Sequence, residues 1–488
     1  MLEYNKNVVR PHYYLLNEKQ INRLHLASLE ILEKIGVKVS HEEARKLLEN
    51  NECYVEETNI VQIPKWLVEE SIQNAPSQII IYNREGDETM RLEGNNNYYG
   101  LGTDLLRTID IKTDELRLSI LEDVKNAAIV ADYCENVDFI ASFALPSDVP
   151  TNLMYIQCAK TMMENSVKPI FFTAAGKEDL EIIFKMAETI IGGEKDLKEK
   201  PFIIHYSEPT APLSHSFGAV NKLFYCADKK IPICYPPGDI IGGTTPVTLA
   251  GSIAQANAEA LSGIVLHQLR KKGAPIISGL GVVPIDMKSA TFCYGAPEFH
   301  LGNSAFADLY HHYKIPMWST VGSDAHCLDQ QAAMEHAFAT ILSSLNGANL
   351  IHDVGYLGQG LVGNPVSIVM CDEIISYVKR FVKGFEIDRE KLAFDVINKV
   401  GPGGVFLAEM HTVKHFREEI WRPKYLNRDD SETWIKKGKM SYGEKVKMKA
   451  LNILETYKPK QLSEKVKEML NKILKGAKKK LINLKFKA

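Results

Sequence analysis

Residues 168–176, KPIFFTAAG, carry the pattern that decides the fold: a short aromatic and β-branched run closes on small, turn-prone residues, and a helical stretch follows. Runs of the same kind lie at 98–102, 137–145, 201–207, 231–235, 274–281, 315–322 and 349–355, all too short for helices. Together they predict an α/β fold, a (β/α)8 TIM barrel over residues 95–385. Thr245-Pro246 and Asn364-Pro365 read as N-caps with proline at the first helical position, and Gly273 and Gly347 follow helix ends. Met334, Phe338, Ile341, Leu342 and Leu345 share one face of the seventh helix. Ile253, Ala256, Ala260 and Ile264 share one face of the fifth. Both stripes are expected to cover the barrel.

Working outward, residues 1–94 are expected to form an N-terminal helical cap, with helices over about 18–35 and from about 41 and 64, closed by a strand pair near 78–93. Residues 386–488 read as a C-terminal helical extension with a basic tail. From Lys458 onward eleven lysines face two glutamates, and Val466, Met469, Leu470, Ile473 and Leu474 fall on one helical face. A solvated final helix is the expectation there, ahead of a membrane-surface or acidic-partner helix. The 488 residues, 45% hydrophobic with net charge −3, are ample for a closed core and argue against nucleic-acid binding. The opening MLEYNKNVVRPHYY lacks the apolar stretch of a leader, and no apolar run approaches the roughly 18 residues of a membrane span. The expected address is the cytoplasm. Eight cysteines without a CxxC pair suggest neither a zinc knuckle nor a disulfide framework.

In such a barrel the chemistry sits at the C-terminal ends of the strands. Those ends carry Tyr98, Phe143, His205, Tyr206, Glu208, Tyr235, Asp239, Asp324, His326, His352 and Asp353. No His-x-His pair marks the first strand, which reads YYGLG over 98–102, and neither a P-loop nor a GxSxG elbow occurs. The adjacent His311 and His312 fall on the wrong side of the repeat for catalysis. Aromatics with acids suit a small cationic or zwitterionic organic substrate, because each ring face attracts an ammonium by about 0.5–2 kcal/mol. No basic triad appears that would select phosphates.

Five stretches are familiar as a set: YSEPTAPLSHS (206–216), GGTTPVTLAGSIAQANAEAL (242–261), YGAPEFHLGNSAFADLYHHYKIP (294–316), GSDAHCLDQQAAMEHAF (322–338) and NGANLIHDVG (346–355). In this order the chain resembles the trimethylamine methyltransferase family, the corrinoid-dependent barrel enzymes of methylamine and betaine metabolism, over nearly its whole length. Founding members carry pyrrolysine in the barrel. This chain has standard residues throughout, including 323–329, near which that position is expected to fall, so it resembles a non-pyrrolysine member.

The resemblance implies a quaternary amine substrate such as glycine betaine, whose leaving group is already a neutral tertiary amine. It implies a methyl acceptor as well, Co(I) of a corrinoid (cobalamin) carried on a cognate small protein. This chain would then supply binding, alignment and exclusion of water, with no covalent catalytic residue and no tightly bound metal. Self-association into a homo-oligomer is expected. On the same implication Tyr98, Phe143 and Tyr235 are candidate cation-facing rings and Glu208 and Asp324 candidate charge partners. His205, His326 and His352 are candidates for a substrate carboxylate. Gly242, Gly243, Thr244 and Thr245 are a candidate anion site for a carboxylate or a corrinoid side group. Two other readings stand beside this one: a metal-dependent barrel lyase or hydrolase using His205, Glu208, His326 and His352, and a non-catalytic quaternary-amine binding protein. The choice among glycine betaine, proline betaine, carnitine and butyrobetaine stays open.

Overall fold

The structure, a computed structural model, describes residues 8–279 and 281–485. Seven parallel strands pair in the order Ile170–Phe172, Ile203–Tyr206, Ile233–Cys234, Ile276–Gly279, Met317–Thr320, Leu350–His352, Tyr98–Tyr99. Each falls within a run read from the sequence. Nearly every residue in them is buried, as in a parallel sheet covered by helices on one face and filled with side chains on the other.

The expected strand at 137–145 does not form a ladder. Phe139 and Ile140 make single parallel bridges to Gly100 and Ile170, at the two edges of the sheet. The α/β sheet is therefore a curled seven-stranded one, not the closed eightfold barrel the sequence suggested. The Phe139 ring lies over its bridge partner Gly100, where a Cβ would come within 2.3 Å of it. By Phe143 the backbone has turned left-handed, with φ 53°, which ends extended pairing.

Outside the sheet run the helices. Leu249–Arg270 is buried along almost its whole length, with Ile253, Ala256, Ala260 and Ile264 inside as expected. Thr248 caps it, so the helix starts three residues later than Thr245-Pro246 suggested. Asn364 does cap the helix Pro365–Lys383, its side chain accepting from the Val366 N–H. The helix Gln330–Leu345 is turned the other way from expectation. Met334 and Phe338 are exposed, while Ala332, His336, Ala339 and Ser343 face inward. Small inward residues let this helix lie close to the sheet, and they leave Met334 and Phe338 outside, with Ile341, Leu342 and Leu345 half-buried.

The N-terminal helices Glu18–Lys34, Glu42–Glu49 and Lys65–Asn74 pack on Leu249–Arg270, the first starting at an Asn17–Gln20 capping box. The strand pair forms between Ile79–Tyr82 and Glu88–Leu92. A four-stranded sheet that the sequence reading missed pairs Val37–Val39 with Ile60–Gln62 on one side and with Ser214–His215 on the other. The final helix, Glu464–Lys485, buries Leu470 and Ala477 and packs against Lys177–Ile191. Its apolar face is thus used within the fold. No described helix is long and apolar enough to cross a membrane.

Candidate functional site

A cavity of about 320 Å³ opens at the C-terminal ends of the strands. Side chains two residues apart on a strand share a face, and this alternation builds the walls. Tyr206 and Glu208 come from one strand and the residues just after it, Trp318 and Thr320 from another, and His352 from the end of a third. Phe292, Tyr294 and Phe299 come from the segment after Val283–Pro284, and Tyr356 from the turn after His352. Larger openings exist elsewhere, one of about 700 Å³ around Arg91, Asn96 and Lys314, but none of them gathers rings and acids in this way.

His352 sits in a cage of rings, with centroids at 4.7 Å for Phe171, 5.3 Å for Trp318, 6.0 Å for Tyr206 and 6.2 Å for Tyr356. Its Nδ1 lies 2.6 Å from Oδ1 of Asp353, at an angle that makes no hydrogen bond, and its Nε2 has no hydrogen-bond partner among the described residues. The other Asp353 oxygen accepts from the Thr320 hydroxyl.

Two further acids face the cavity. Glu208 accepts from the Tyr206 hydroxyl, and Asp239 accepts from the Thr244 hydroxyl at 3.1 Å. Glu208 is open to the cavity, yet protein encloses it on its other sides, and that enclosure raises its carboxyl above the ordinary carboxylate range. Burial likewise pushes up Asp239 and its neighbour Glu259, on the helix Leu249–Arg270. No lysine or arginine is among the described lining residues. The ammonium of Lys222 acts on Glu208 only from outside, held by the Ala174 carbonyl at 3.0 Å. The cavity is aromatic and acidic, and His352 is its one basic side chain among the described lining residues.

Of the candidate rings, charge partners, carboxylate binders and anion-site residues of the sequence analysis, Glu208 and His352 line this cavity and the others do not. Tyr98 lies toward the opposite end of the sheet, paired with Leu350, and its hydroxyl accepts from the Arg91 N–H. Phe143 is buried one layer back, 5.9 Å from the Tyr356 ring. His205 is one residue out of register with the inner face and points outward, its Nδ1 3.2 Å from the Phe172 carbonyl and its ring 5.1 Å from that of Phe172. Tyr235 also points outward, bonded to His215 at 3.0 Å. Asp324 accepts from the Tyr294 and Gly295 N–H groups at 2.7 and 2.9 Å, so it holds the turn that presents Tyr294. His326 is exposed. With His205 and His326 elsewhere, the ligand set of the metal-dependent alternative is dispersed.

The turn Gly242, Gly243, Thr244, Thr245 stands beside the mouth, but its four N–H groups all donate within it: Gly242 to the Thr245 carbonyl and the other three to the Ile240 carbonyl. It also precedes the cap of its helix, so it offers no open anion cradle. Tyr206, Asp239 and Asp353 were among the strand-end residues but were not chosen. Trp318, Tyr294 and Tyr356 were missed. For Tyr206 and Trp318 the findable signal was strand alternation, because each sits two positions from another polar cavity residue.

The family model for trimethylamine methyltransferase (MTTB) matches residues 3–481. The chain is 31% identical over 460 residues to trimethylamine methyltransferase MttB of Desulfitobacterium hafniense (strain DSM 10664 / DCB-2), covering 94% of this chain and 92% of that one. It is 30% identical over 461 residues to a glycine betaine methyltransferase of Desulfitobacterium hafniense (strain Y51), covering 93% and 95%. A solved structure of the Methanosarcina barkeri monomethylamine methyltransferase (MtmB) aligns over 97% of this chain and 89% of its own, at 12% identity and a TM-score of 0.48.

Proposed function

The chain belongs to the trimethylamine methyltransferase family, and on that premise we propose that it moves a methyl group from a small quaternary amine, with glycine betaine as the reference case, to a corrinoid on a cognate partner protein. The observation that carries this reading is the cavity itself, in which Tyr206, Trp318, Tyr294 and Tyr356 stand with Glu208, Asp239 and Asp353, with no lysine or arginine among the described lining residues. Ring faces and carboxylates are what a permanently charged ammonium requires once water is excluded.

When bound, the corrinoid supplies the nucleophile as Co(I). The residues of this chain place the methylated nitrogen and align one methyl group toward the mouth. The substrate's charge is lost as the methyl departs, so a cavity that held the cation too tightly would favour the ground state over the transition state. Glu208 and Asp239, whose enclosure opposes ionisation, together with several rings, hold it moderately. The product is a neutral tertiary amine, which needs no proton in order to leave. His352, whose Nε2 is buried among the rings without a hydrogen-bond partner among the described residues, is the candidate donor to a substrate carboxylate where there is one, once those rings give way. At the rim Val247, Met287, Phe292 and Leu361 are exposed apolar side chains, a surface suited to a docked acceptor protein. The Gly242–Thr245 turn contributes shape there, not N–H donors.

The experiment is methylation of reduced cob(I)alamin by glycine betaine, proline betaine, carnitine and butyrobetaine, followed by absorbance. Transfer from at least one is the expected outcome. Tight binding with no transfer across the four would favour the non-catalytic reading, and near-stoichiometric tightly bound zinc, manganese or iron would favour the lyase or hydrolase.

A further inference from the structure

The polar groups that the cavity leaves unsatisfied bear on the other end of the substrate, the tail beyond its methylated nitrogen. Asp239 and Asp353 are buried lining residues, and each keeps one carboxylate oxygen without a hydrogen-bond partner among the described residues, Oδ2 of Asp239 and Oδ1 of Asp353. Glu208 is the third lining acid, so close to Gly238 that a Cβ there would come within 3.2 Å of its Oε2. Two more acids stand behind the wall. Asp104 follows the lining Thr103 and accepts from the Thr173 and Ser142 hydroxyls at 3.1 and 3.3 Å. Glu259 accepts from the Leu213 N–H and leaves its Oε1 unpartnered.

Little positive charge faces this set. The Lys222 ammonium is shared among Glu208, Asp104 and Asp179. His352 is the one basic side chain among the described lining residues, and its Nδ1 lies 2.6 Å from Oδ1 of Asp353, so a proton taken up there is matched at once by that carboxylate. Trp318 adds an unpartnered Nε1–H. That donor is neutral, and a hydroxyl or amide oxygen serves it as a carboxylate does.

We propose that the preferred substrate is a monocationic quaternary amine with a neutral polar tail, a hydroxyalkyl or carbamoylalkyl trimethylammonium, ahead of any betaine. This rests on the quaternary-amine reading above and narrows it. With either tail the C–N bond breaks with its electron pair left on nitrogen, and the methyl carbon takes its new pair from Co(I). A monocation therefore leaves as a neutral amine. A betaine enters neutral overall and becomes an anion as the methyl departs, in a cavity lined by three acids with no lysine or arginine among the described lining residues. Charge that develops against like charge raises the barrier itself, so the penalty falls on kcat as well as on binding. A hydroxyl or amide tail also has a proton to donate to the free oxygen of Asp239 or Asp353, and a carboxylate tail has none.

The test sets choline and the amide of glycine betaine against glycine betaine itself, in transfer to reduced cob(I)alamin followed by absorbance. The amide matches glycine betaine in size and shape and differs in charge. For both neutral-tailed cations kcat/KM is expected to be about tenfold higher or more, with part of the difference in kcat. Tenfold is about 1.4 kcal/mol, less than one unopposed charge pair in contact near a protein surface. Glu208→Gln and Asp239→Asn each remove one lining charge, and each is expected to narrow the ratio of amide to glycine betaine about threefold or more. That ratio does not depend on how much of a variant is folded. Glycine betaine demethylated as fast as its amide, or a ratio that neither variant moves, overturns the proposal and leaves the quaternary-amine reading standing. No transfer from any of the three, nor from proline betaine, carnitine or butyrobetaine, overturns that reading and the proposal with it.

Discussion

One residue of register separates Tyr206 from His205, and the two belong to different parts of the molecule. Tyr206 enters the cavity and bonds Glu208, whereas His205 turns outward against Phe172. The neighbouring strand repeats the division. Tyr235 leaves the inner face and pairs with His215, whose other nitrogen bonds the Ser262 hydroxyl at 2.8 Å. On the inner face rings and acids converge on the cavity. On the outer face the same residue types are tied into the scaffold. Position near a strand end therefore does not give a side chain its role; its direction does. Inner-face substitutions should change transfer and spare stability, and outer-face substitutions the reverse.

The sharpest way to break that division is Glu208→Gln. Removing one partner of an enclosed charge pair costs about 2 kcal/mol or more, so kcat/KM for methyl transfer should fall about 30-fold or more with the melting temperature unchanged. Wild-type kinetics would remove Glu208 from the site. Tyr235→Phe is the counterpart behind the sheet. It leaves a buried His215 nitrogen without its partner, and a loss of about 1–2 kcal/mol in stability is expected, read by chemical denaturation, with transfer kinetics unchanged. A fall in transfer at full stability would place Tyr235 in the functional layer after all. Tyr206→Phe keeps the ring and removes only the hydroxyl that orients Glu208. An increase in substrate KM of about 5-fold is expected, the scale of one hydrogen bond near 1 kcal/mol; an unchanged KM would show that Glu208 needs no such support.

The smallest effect concerns pH. Glu208 and Asp239 hold their protons above the ordinary carboxylate range because they are enclosed. A bound cation favours their ionised forms. Binding should therefore tighten as pH rises from about 4 through the raised values, then level off, with protons released over that interval. Calorimetry in buffers of different ionisation enthalpy reads that release. A flat profile without proton release would contradict the cation-in-cavity account.

The sequence made the strand positions legible because parallel strands buried on both faces appear as short apolar runs with turn residues after them, and seven of eight such runs pair. The run at 137–145 misled because its hydrophobicity reports burial, which Phe139 has, and not a ladder, which the turn at Phe143 cuts short. Burial on both faces also hid direction. With Ile203, Ile204 and His205 all fully buried, no alternation told His205 from Tyr206. The outward turn of Met334 and Phe338 was hidden for a related reason, since an apolar stripe facing outward and one facing a core have the same period. Glu208 and His352 were reachable because they lie at strand ends within the motifs that carry the family resemblance. Tyr294 was not, since it arrives from a loop whose course depends on Asp324 accepting its N–H.

The central claim is that these side chains hold a methylated ammonium and form no bond to its carbon. It is tested most directly with methyl-labelled quaternary amine in a single turnover, with and without corrinoid, tracking label on the protein by mass. All transferred label is expected on the corrinoid, none on the protein, and no demethylation when corrinoid is omitted. A methylated side chain, or demethylation at full rate without corrinoid, would contradict it.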